Sequence, residues 1–312
     1  MDTLKDLLPT RLFEVLEKAG ICTTKQIIIL SVWDIKKLTN LFNDDIKLLK
    51  NILSNNCSPI SISGNSLEDK NVTVKTGCAS IDKILNGGFR IGTLTEMYGE
   101  SGSGKTQIAL QTAVYCGTSG CVFICTEDLF PVKRFNQISQ YVWHDIKDTE
   151  CKKNIFIEHL TEAHELISCI RVRLPKLLKL NKISAVILDS VAAPFRCENT
   201  NYVQRAEELK ELAILLLNIA QEYNVAVICI NQVTACFTGS DDVLPTLGLV
   251  WSNLISCRLK LTKTIDYREL TIAFAPHLSN AQGAKFIITK NATHANIHKN
   301  TIASKINISN QL

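Results

Sequence analysis

Between residues 76 and 290, short apolar runs alternate with stretches of helical periodicity. The runs 93–98, 121–126, 155–158, 185–188, 225–230, 255–261, 270–274 and 285–288 have the length and apolar content of strands. Helical spacing occupies 106–116, 162–180 and 203–222. Apolar strands separated by helices form a parallel sheet covered on both faces. The last runs follow one another with little helix between them, so they extend that sheet by antiparallel pairing. The pattern predicts an α/β fold with a mostly parallel central sheet. After Thr289 the chain turns polar, and 291–312 is expected to be a frayed tail.

The first 56 residues have a different rhythm. Leu12, Val15, Leu16 and Ala19 fall on one helical face, and Gly20 can end that helix. Thr23 followed by Gln26 makes a capping-box pattern ahead of Ile27. Ser31 and Asn43 can cap the next two helices, the second carrying Ile46, Leu49, Ile52 and Leu53 as its apolar stripe. Helices this short are unstable alone, so they must pack together. This predicts a small all-helical domain over 1–56. Residues 57–75, rich in Ser, Asn, Gly and Pro, read as a linker to a core over 76–290.

Composition narrows the class. Apolar residues make up 46% of 312, enough for a sizeable core. A net charge of +4, from 34 basic and 30 acidic residues, does not by itself announce nucleic-acid binding. The 12 cysteines include no Cys-x-x-Cys pair, and several sit in apolar runs. They read as reduced thiols rather than a disulfide framework. The long apolar stretch 212–230 is interrupted by Asn218, Gln221, Glu222, Tyr223 and Asn224, which excludes it as a membrane span. His294 and His298 stand four apart, either as metal ligands or as part of a solvated tail.

The chemistry is concentrated at Gly99-Glu100-Ser101-Gly102-Ser103-Gly104-Lys105-Thr106, which fits the P-loop pattern at every fixed position. About 1% of chains this long would contain that pattern by chance at average composition. Here it also follows an apolar strand and precedes the helical run beginning at Gln107, where the mechanism needs it. Glycines let the backbone turn its N–H groups inward, and the helix N-terminus adds a favourable dipole for a polyphosphate. Lys105 is placed to reach the β- and γ-phosphates of ATP, and Thr106 to ligate Mg2+.

Three strand ends supply the remaining candidates. Asp189 ends the run 185–188, as a Mg2+-side carboxylate or as a helix-capping aspartate. Glu127 follows 121–126, as a base for the water that attacks the γ-phosphate or as an exposed turn carboxylate. Asn231 and Gln232 close 225–230, as γ-phosphate sensors or as ordinary strand-capping amides.

Together these features resemble the RecA/RadA recombinase family. Thr76 to Asp82, the glycines Gly87, Gly88 and Gly92, and Glu96 are similar to that family's lead-in to the P-loop. Phe123 to Glu127 with Pro131 to Arg134 resembles its second strand and adenine-side helix, and Val225 to Val233 its sensor strand. The stretches 155–159, 187–198 and 275–278 resemble a paralogue of the eukaryotic strand-exchange protein, and the likeness runs to about residue 290.

The resemblance implies a RecA-like P-loop ATPase core with an N-terminal helical domain. It implies ATP and Mg2+ as ligands, with Gly99 through Thr106, Gln107 and Arg134 contacting nucleotide and Thr106 and Asp189 on the metal side. Glu127 then becomes the base, Lys105 and Gln232 its catalytic companions, and Arg196 a DNA contact, with a plain surface arginine as the alternative. The implied setting is homologous-recombination repair in the nucleus, with a cytoplasmic pool allowed and no membrane. The implied partners are another recombinase paralogue, the strand-exchange recombinase, and single-stranded and branched DNA.

Three departures bear on the activity. Residues 57–75 contain no aromatic-x-x-Ala segment of the sort family members use to hook a neighbouring protomer. The loop 234–246 carries Asp241 and Asp242 and neither Lys nor Arg, which repels a phosphate backbone. Phe274 and Ser279 stand where family members that share an ATP site place an aspartate and a proline. An assembly factor with slow hydrolysis is the reading these departures favour. The alternatives are an autonomous DNA-dependent ATPase that forms its own filament, or a P-loop kinase or NTPase unrelated to DNA.

Overall fold

The computed structural model describes residues 4–57, 63, 72–143, 151–195, 202–235, 243–245, 247–279 and 283–295. The chain divides into two compact units, Met1–Asp69 and Lys70–Leu312.

The first unit contains α1 (Leu4–Leu7), α2 (Thr10–Lys18), α3 (Thr24–Ile29), α4 (Val32–Thr39) and α5 (Asn43–Cys57). Its core is wholly apolar and includes Leu12, Leu16, Ile27, Ile35, Ile46, Leu49 and Leu53. Gly20 takes φ +75° just past α2, a left-handed conformation that glycine adopts without a Cβ penalty. Thr23 and Gln26 close the expected capping box on α3, and Ser31 closes one with Asp34 on α4. Asn43 is the first residue of α5 rather than its cap. Arg11 pairs with Asp45 across the unit.

The second unit opens with β1 (Thr73–Val74), which pairs antiparallel with β2 (Phe89–Arg90) around α6 (Ala79–Ile84). The last residues of the expected linker are thus sheet. Next come β3 (Leu94–Gly99), α7 (Lys105–Tyr115), β4 (Cys121–Cys125), α8 (Val132–Val142) and β5 (Ile155–His159). The stretch expected as one helix over 162–180 is α9 (Ala163–Ser168), a π-helical turn Cys169–Arg173, and α10 (Leu174–Leu180). Pro175 lies in the first turn of α10, and lacking an N–H it cannot continue a regular ladder from the residues before it.

The chain continues through β6 (Ala185–Asp189), α11 (Tyr202–Tyr223), β7 (Ala226–Asn231), β8 (Val233–Ala235), β9 (Val243–Pro245) and α12 (Gly248–Ser252). It finishes with β10 (Cys257–Lys263), β11 (Arg268–Phe274), β12 (Ala284–Ile288) and β13 (Thr293–Ala295).

Nine of these strands form one sheet in the order β13-β12-β11-β10-β3-β7-β6-β4-β5. From β10 to β5 every pairing is parallel, and from β10 to β13 every pairing is antiparallel. The expected α/β architecture is therefore present. Side chains alternate along each strand, so two apolar layers form. Met97, Phe123, Ile187 and Ile228 point into one, and Leu94, Ile124, Leu188 and Val227 into the other. The parallel arrangement brings the ends of β3, β4, β6 and β7 to one edge of the sheet, where ligands bind in open α/β sheets.

The expectation of a frayed tail directly after residue 290 does not hold. β13 pairs with β12, and Ala292 and Thr293 are buried. Hydrogen bonds hold it rather than apolar periodicity. The Thr293 N–H donates to Gln111 Oε1 at 2.6 Å, and Gln111 Nε2 donates back to the Thr293 carbonyl at 3.2 Å.

Candidate nucleotide site

β3 delivers the chain to the sheet edge, and residues 99–106 turn it into α7. Two glycines are required there by close approach and by backbone angle. A Cβ on Gly99 would lie 2.1 Å from the Leu261 carbonyl oxygen. Gly104 has φ +103°, and a Cβ there would meet Ile288 at 3.0 Å. The loop borders a cavity of about 930 Å³, within the usual range for ligand pockets.

Of the residues expected to contact nucleotide, Gly99, Ser101, Gly102, Gly104, Lys105, Thr106, Gln107 and Arg134 line this cavity. Glu100 and Ser103 do not. Ser103 is buried beneath the loop, its Oγ without a hydrogen-bond partner among the described residues. Lys105 is nearly enclosed, and its Nζ donates to the carbonyls of Gly99 at 2.6 Å and Glu100 at 2.8 Å. Burial pulls its pKa below the ordinary lysine value, against the opposing charges of Asp189 and Glu100.

The strand-end acids occupy the opposite wall. Thr106 Oγ1 donates to Asp189 Oδ2 at 2.8 Å, joining the first turn of α7 to the tip of β6. Burial raises the Asp189 pKa, while the Thr106 hydrogen bond and the Lys105 charge act the other way and Glu127 and Asp128 reinforce the rise. The tips of β4 and β6 are tied together as well. The Ser190 N–H donates to Thr126 Oγ1 at 2.9 Å, and that hydroxyl donates to the Ser190 carbonyl at 2.5 Å. The Asp189–Ser190 peptide is cis.

The two amides after β7 part company. Gln232 faces the cavity, and its Nε2 donates to Glu127 Oε2 at 2.7 Å. Asn231 is fully buried and donates through Nδ2 to Glu96 Oε1 at 2.7 Å. On the far side, Arg134 holds the cavity wall together. It donates to Gln107 Oε1 at 2.6 Å, to the Thr289 carbonyl at 2.9 Å and to the Lys290 carbonyl at 2.5 Å.

Some lining residues carry no local sequence signal. Arg268 opens β11 and donates from Nε to the Gly102 carbonyl at 3.1 Å. Ile288 and Thr289 bring the end of β12 into the same wall. Asp128, one residue beyond Glu127, also lines the cavity. Arg196, Asp241, Asp242 and His298 lie outside the described residues. Phe274 is on the surface of β11, about half exposed.

The donor set suits a magnesium-bound nucleotide. A hydroxyl and a carboxylate meet at the rim, a lysine sits among loop carbonyls, and glycines leave the backbone open. No cluster of three or more His, Cys, Asp or Glu side chains able to hold a metal alone occurs among the described residues. Mg2+ does not ask for one, because it is held by one or two protein groups together with phosphate oxygens and waters.

A family model described as Rad51 matches residues 68–295. The DNA repair protein XRCC3 of Bos taurus is 31% identical over 313 aligned positions, covering 88% of this chain and 92% of that protein. The DNA repair protein rhp57 of Schizosaccharomyces pombe is 29% identical, covering 79% of this chain and 84% of its own. The DNA repair and recombination protein RadA of Aeropyrum pernix is 32% identical, covering 72% and 74% respectively.

Proposed function

The chain belongs to the Rad51 family, and from that premise we propose that it is an ATP-binding recombinase paralogue of homologous-recombination repair. It works with a different paralogue to promote or stabilise the strand-exchange filament on single-stranded DNA, and it acts in the nucleus. The observation that carries the nucleotide part is the meeting of Lys105, the Thr106–Asp189 pair and the Gln232–Glu127 pair on one cavity behind a glycine-bent loop. Names of relatives and the fold alone would leave the site open.

In this reading the loop N–H groups and Lys105 bind the β- and γ-phosphates, and Thr106 and Asp189 hold Mg2+. When bound, the metal neutralises charge on the phosphate oxygens. Glu127 accepts the proton of the attacking water as its oxygen bonds to the γ-phosphorus and the bond to the β–γ bridging oxygen breaks. Gln232 orients Glu127 through the hydrogen bond between them. Arg134 closes the base end of the cavity. Hydrolysis is slow and serves to remodel the complex.

The assembly role, rather than self-sufficient strand exchange, is supported by the sequence of 57–75 and by Asp241 and Asp242 in the stretch 234–246. An exposed phenylalanine at position 274 supports it further, where a shared nucleotide site would call for an acid. Titration of Lys105→Ala with a fluorescent ATP analogue tests the site. Affinity is expected to fall by about 3–4 kcal/mol, the scale of losing one strong donor to a developing or fixed oxyanion, with unfolding unchanged. Unaltered affinity would overturn the assignment. Size-exclusion of the purified protein with ATP and single-stranded DNA tests the role, and homogeneous filaments of this chain alone would overturn it.

A further inference from the structure

Glu96 is an ionisable residue in the middle of a central strand, and it is fully buried. It sits on β3 directly between Cys229 of β7 and Arg258 of β10. Its side chain enters the apolar layer that also holds Leu94 and Trp251. Three donors converge on it. Asn231 Nδ2 and Trp251 Nε1 donate to Oε1 at 2.7 and 2.9 Å, and Arg258 Nε donates to Oε2 at 2.5 Å. A buried ion pair is often no better for stability than apolar side chains of the same size. Stability alone therefore does not account for the arrangement.

Asn231 shows where the arrangement leads. Its amide is used at both ends. While Nδ2 is anchored on Glu96, Oδ1 accepts the backbone N–H of Gln232 at 2.7 Å. The Gln232 side chain then reaches Glu127 at 2.7 Å on the cavity wall. A chain of hydrogen bonds thus runs from the buried carboxylate, through one amide, to the backbone of the residue that meets the acid at the phosphate end of the cavity.

We propose that Glu96 and Asn231 are positioning residues: the buried carboxylate fixes the Asn231 amide, and that amide sets the backbone of Gln232 so that its side chain registers the terminal phosphate. The inference rests on the nucleotide reading above and adds the device that lets the cavity tell a triphosphate from a diphosphate. Neither residue is among those that line the cavity. Both act through Gln232, as supporting groups hold a binding group in its productive geometry.

The test measures, with Mg2+ present, the affinities of the full chain for ADP and for a non-hydrolysable ATP analogue. In Asn231→Ala the ADP affinity stays within about twofold, while the preference for the triphosphate falls about tenfold, the scale of one charge-assisted hydrogen bond. Gln232→Ala shows the same fall, and the double variant falls no further, because the two side chains act in series. Glu96→Gln keeps the shape but weakens the acceptor. It lowers the preference in the same direction by about threefold, which keeps the idea testable where Asn231→Ala does not fold. Leu216→Ala, a core truncation in the same apolar layer, lowers stability without changing the preference. A preference retained in Asn231→Ala, a double variant that falls by the product of the two, or an equal fall in Leu216→Ala would each overturn the inference. An unaltered protein that binds neither nucleotide would overturn the nucleotide reading itself.

Discussion

The two compact units treat polar side chains in opposite ways. In the helical unit the buried side chains are all apolar, and its polar groups form two capping boxes, the ion pairs Arg11–Asp45 and Lys47–Asp44, and bonds from Thr39 and Lys50 to backbone carbonyls. Every buried polar or charged side chain among the described residues belongs to the second unit, including Glu96, Lys105, Gln111, Thr126, Ser190, Asn231 and Thr293. Burying such groups costs free energy unless each is matched by a partner. The second unit accepts that cost: Lys105 and Ser190 line the candidate nucleotide cavity, and Thr126 and Asn231 hydrogen-bond to Ser190 and Gln232 on its wall. The difference separates a region selected to fold from a region arranged to hold charge. Substitutions should therefore act on different observables in the two units.

Leu16→Ala is the strongest way to break this separation. Leu16 is fully buried in the helical core. Its truncation should cost about 2–5 kcal/mol of that unit's stability, through lost transfer energy and the cavity left behind. Denaturant unfolding followed by hydrogen exchange in α2 and α5 reads the loss. Nucleotide affinity should stay within about twofold, since the residues that line the cavity belong to the second unit. An equal loss of affinity would mean that the two regions are not energetically distinct.

The pH dependence sharpens the same contrast. Asp189 has its pKa raised, first of all by burial, so some of its population is protonated at a pH where an exposed aspartate would be ionised. Holding a metal requires the carboxylate. Under the proposed function, nucleotide binding in Mg2+ releases a proton, and affinity should rise with pH through that raised value, at most about tenfold per pH unit. Lys105 is shifted the other way by burial, so affinity should fall on the alkaline side as its ammonium loses a proton. Calorimetric titration in buffers of different ionisation enthalpy checks both limbs. The helical unit contains no histidine, and its unfolding should be nearly flat from about pH 6 to 8.

Legibility followed the same division. The P-loop was readable because its residues are contiguous and each has a local reason. Asp189, Glu127 and Gln232 were readable because parallel strands bring their carboxyl ends to one edge, so a polar residue after an apolar run is placed by topology alone. Arg268, Ile288 and Thr289 were not. They reach the cavity on the antiparallel strands, whose order beside β10 is settled by long-range pairing. The strand Thr293–Ala295 carries no apolar alternation, because hydrogen bonds to Gln111 hold it in place of apolar packing. Nor could adjacency separate Asn231 from Gln232. One residue of pleat turns the first into the core and the second into the cavity.

The smallest effect tests the cleanest local reading. Thr23 Oγ1 accepts the N–H of Gln26 at 3.2 Å, and Gln26 Oε1 accepts the N–H groups of Thr23 at 3.0 Å and Cys22 at 2.9 Å. These bonds satisfy donors that α3 would otherwise leave open, and they start the helix one turn before Ile27, which is fully buried. Thr23→Ala removes the acceptor and should cost about 1 kcal/mol, whereas Thr23→Ser keeps the hydroxyl and should restore most of it. Hydrogen exchange over Thr24–Ile29 is the measurement, because α3 has few turns and its opening is local. Faster exchange there, with nucleotide affinity and its pH profile untouched, is what a unit whose polar groups serve only folding must show. A change in nucleotide affinity in Thr23→Ala, at a surface cap with no charged or buried partner, would remove the distinction between the two regions at its weakest point.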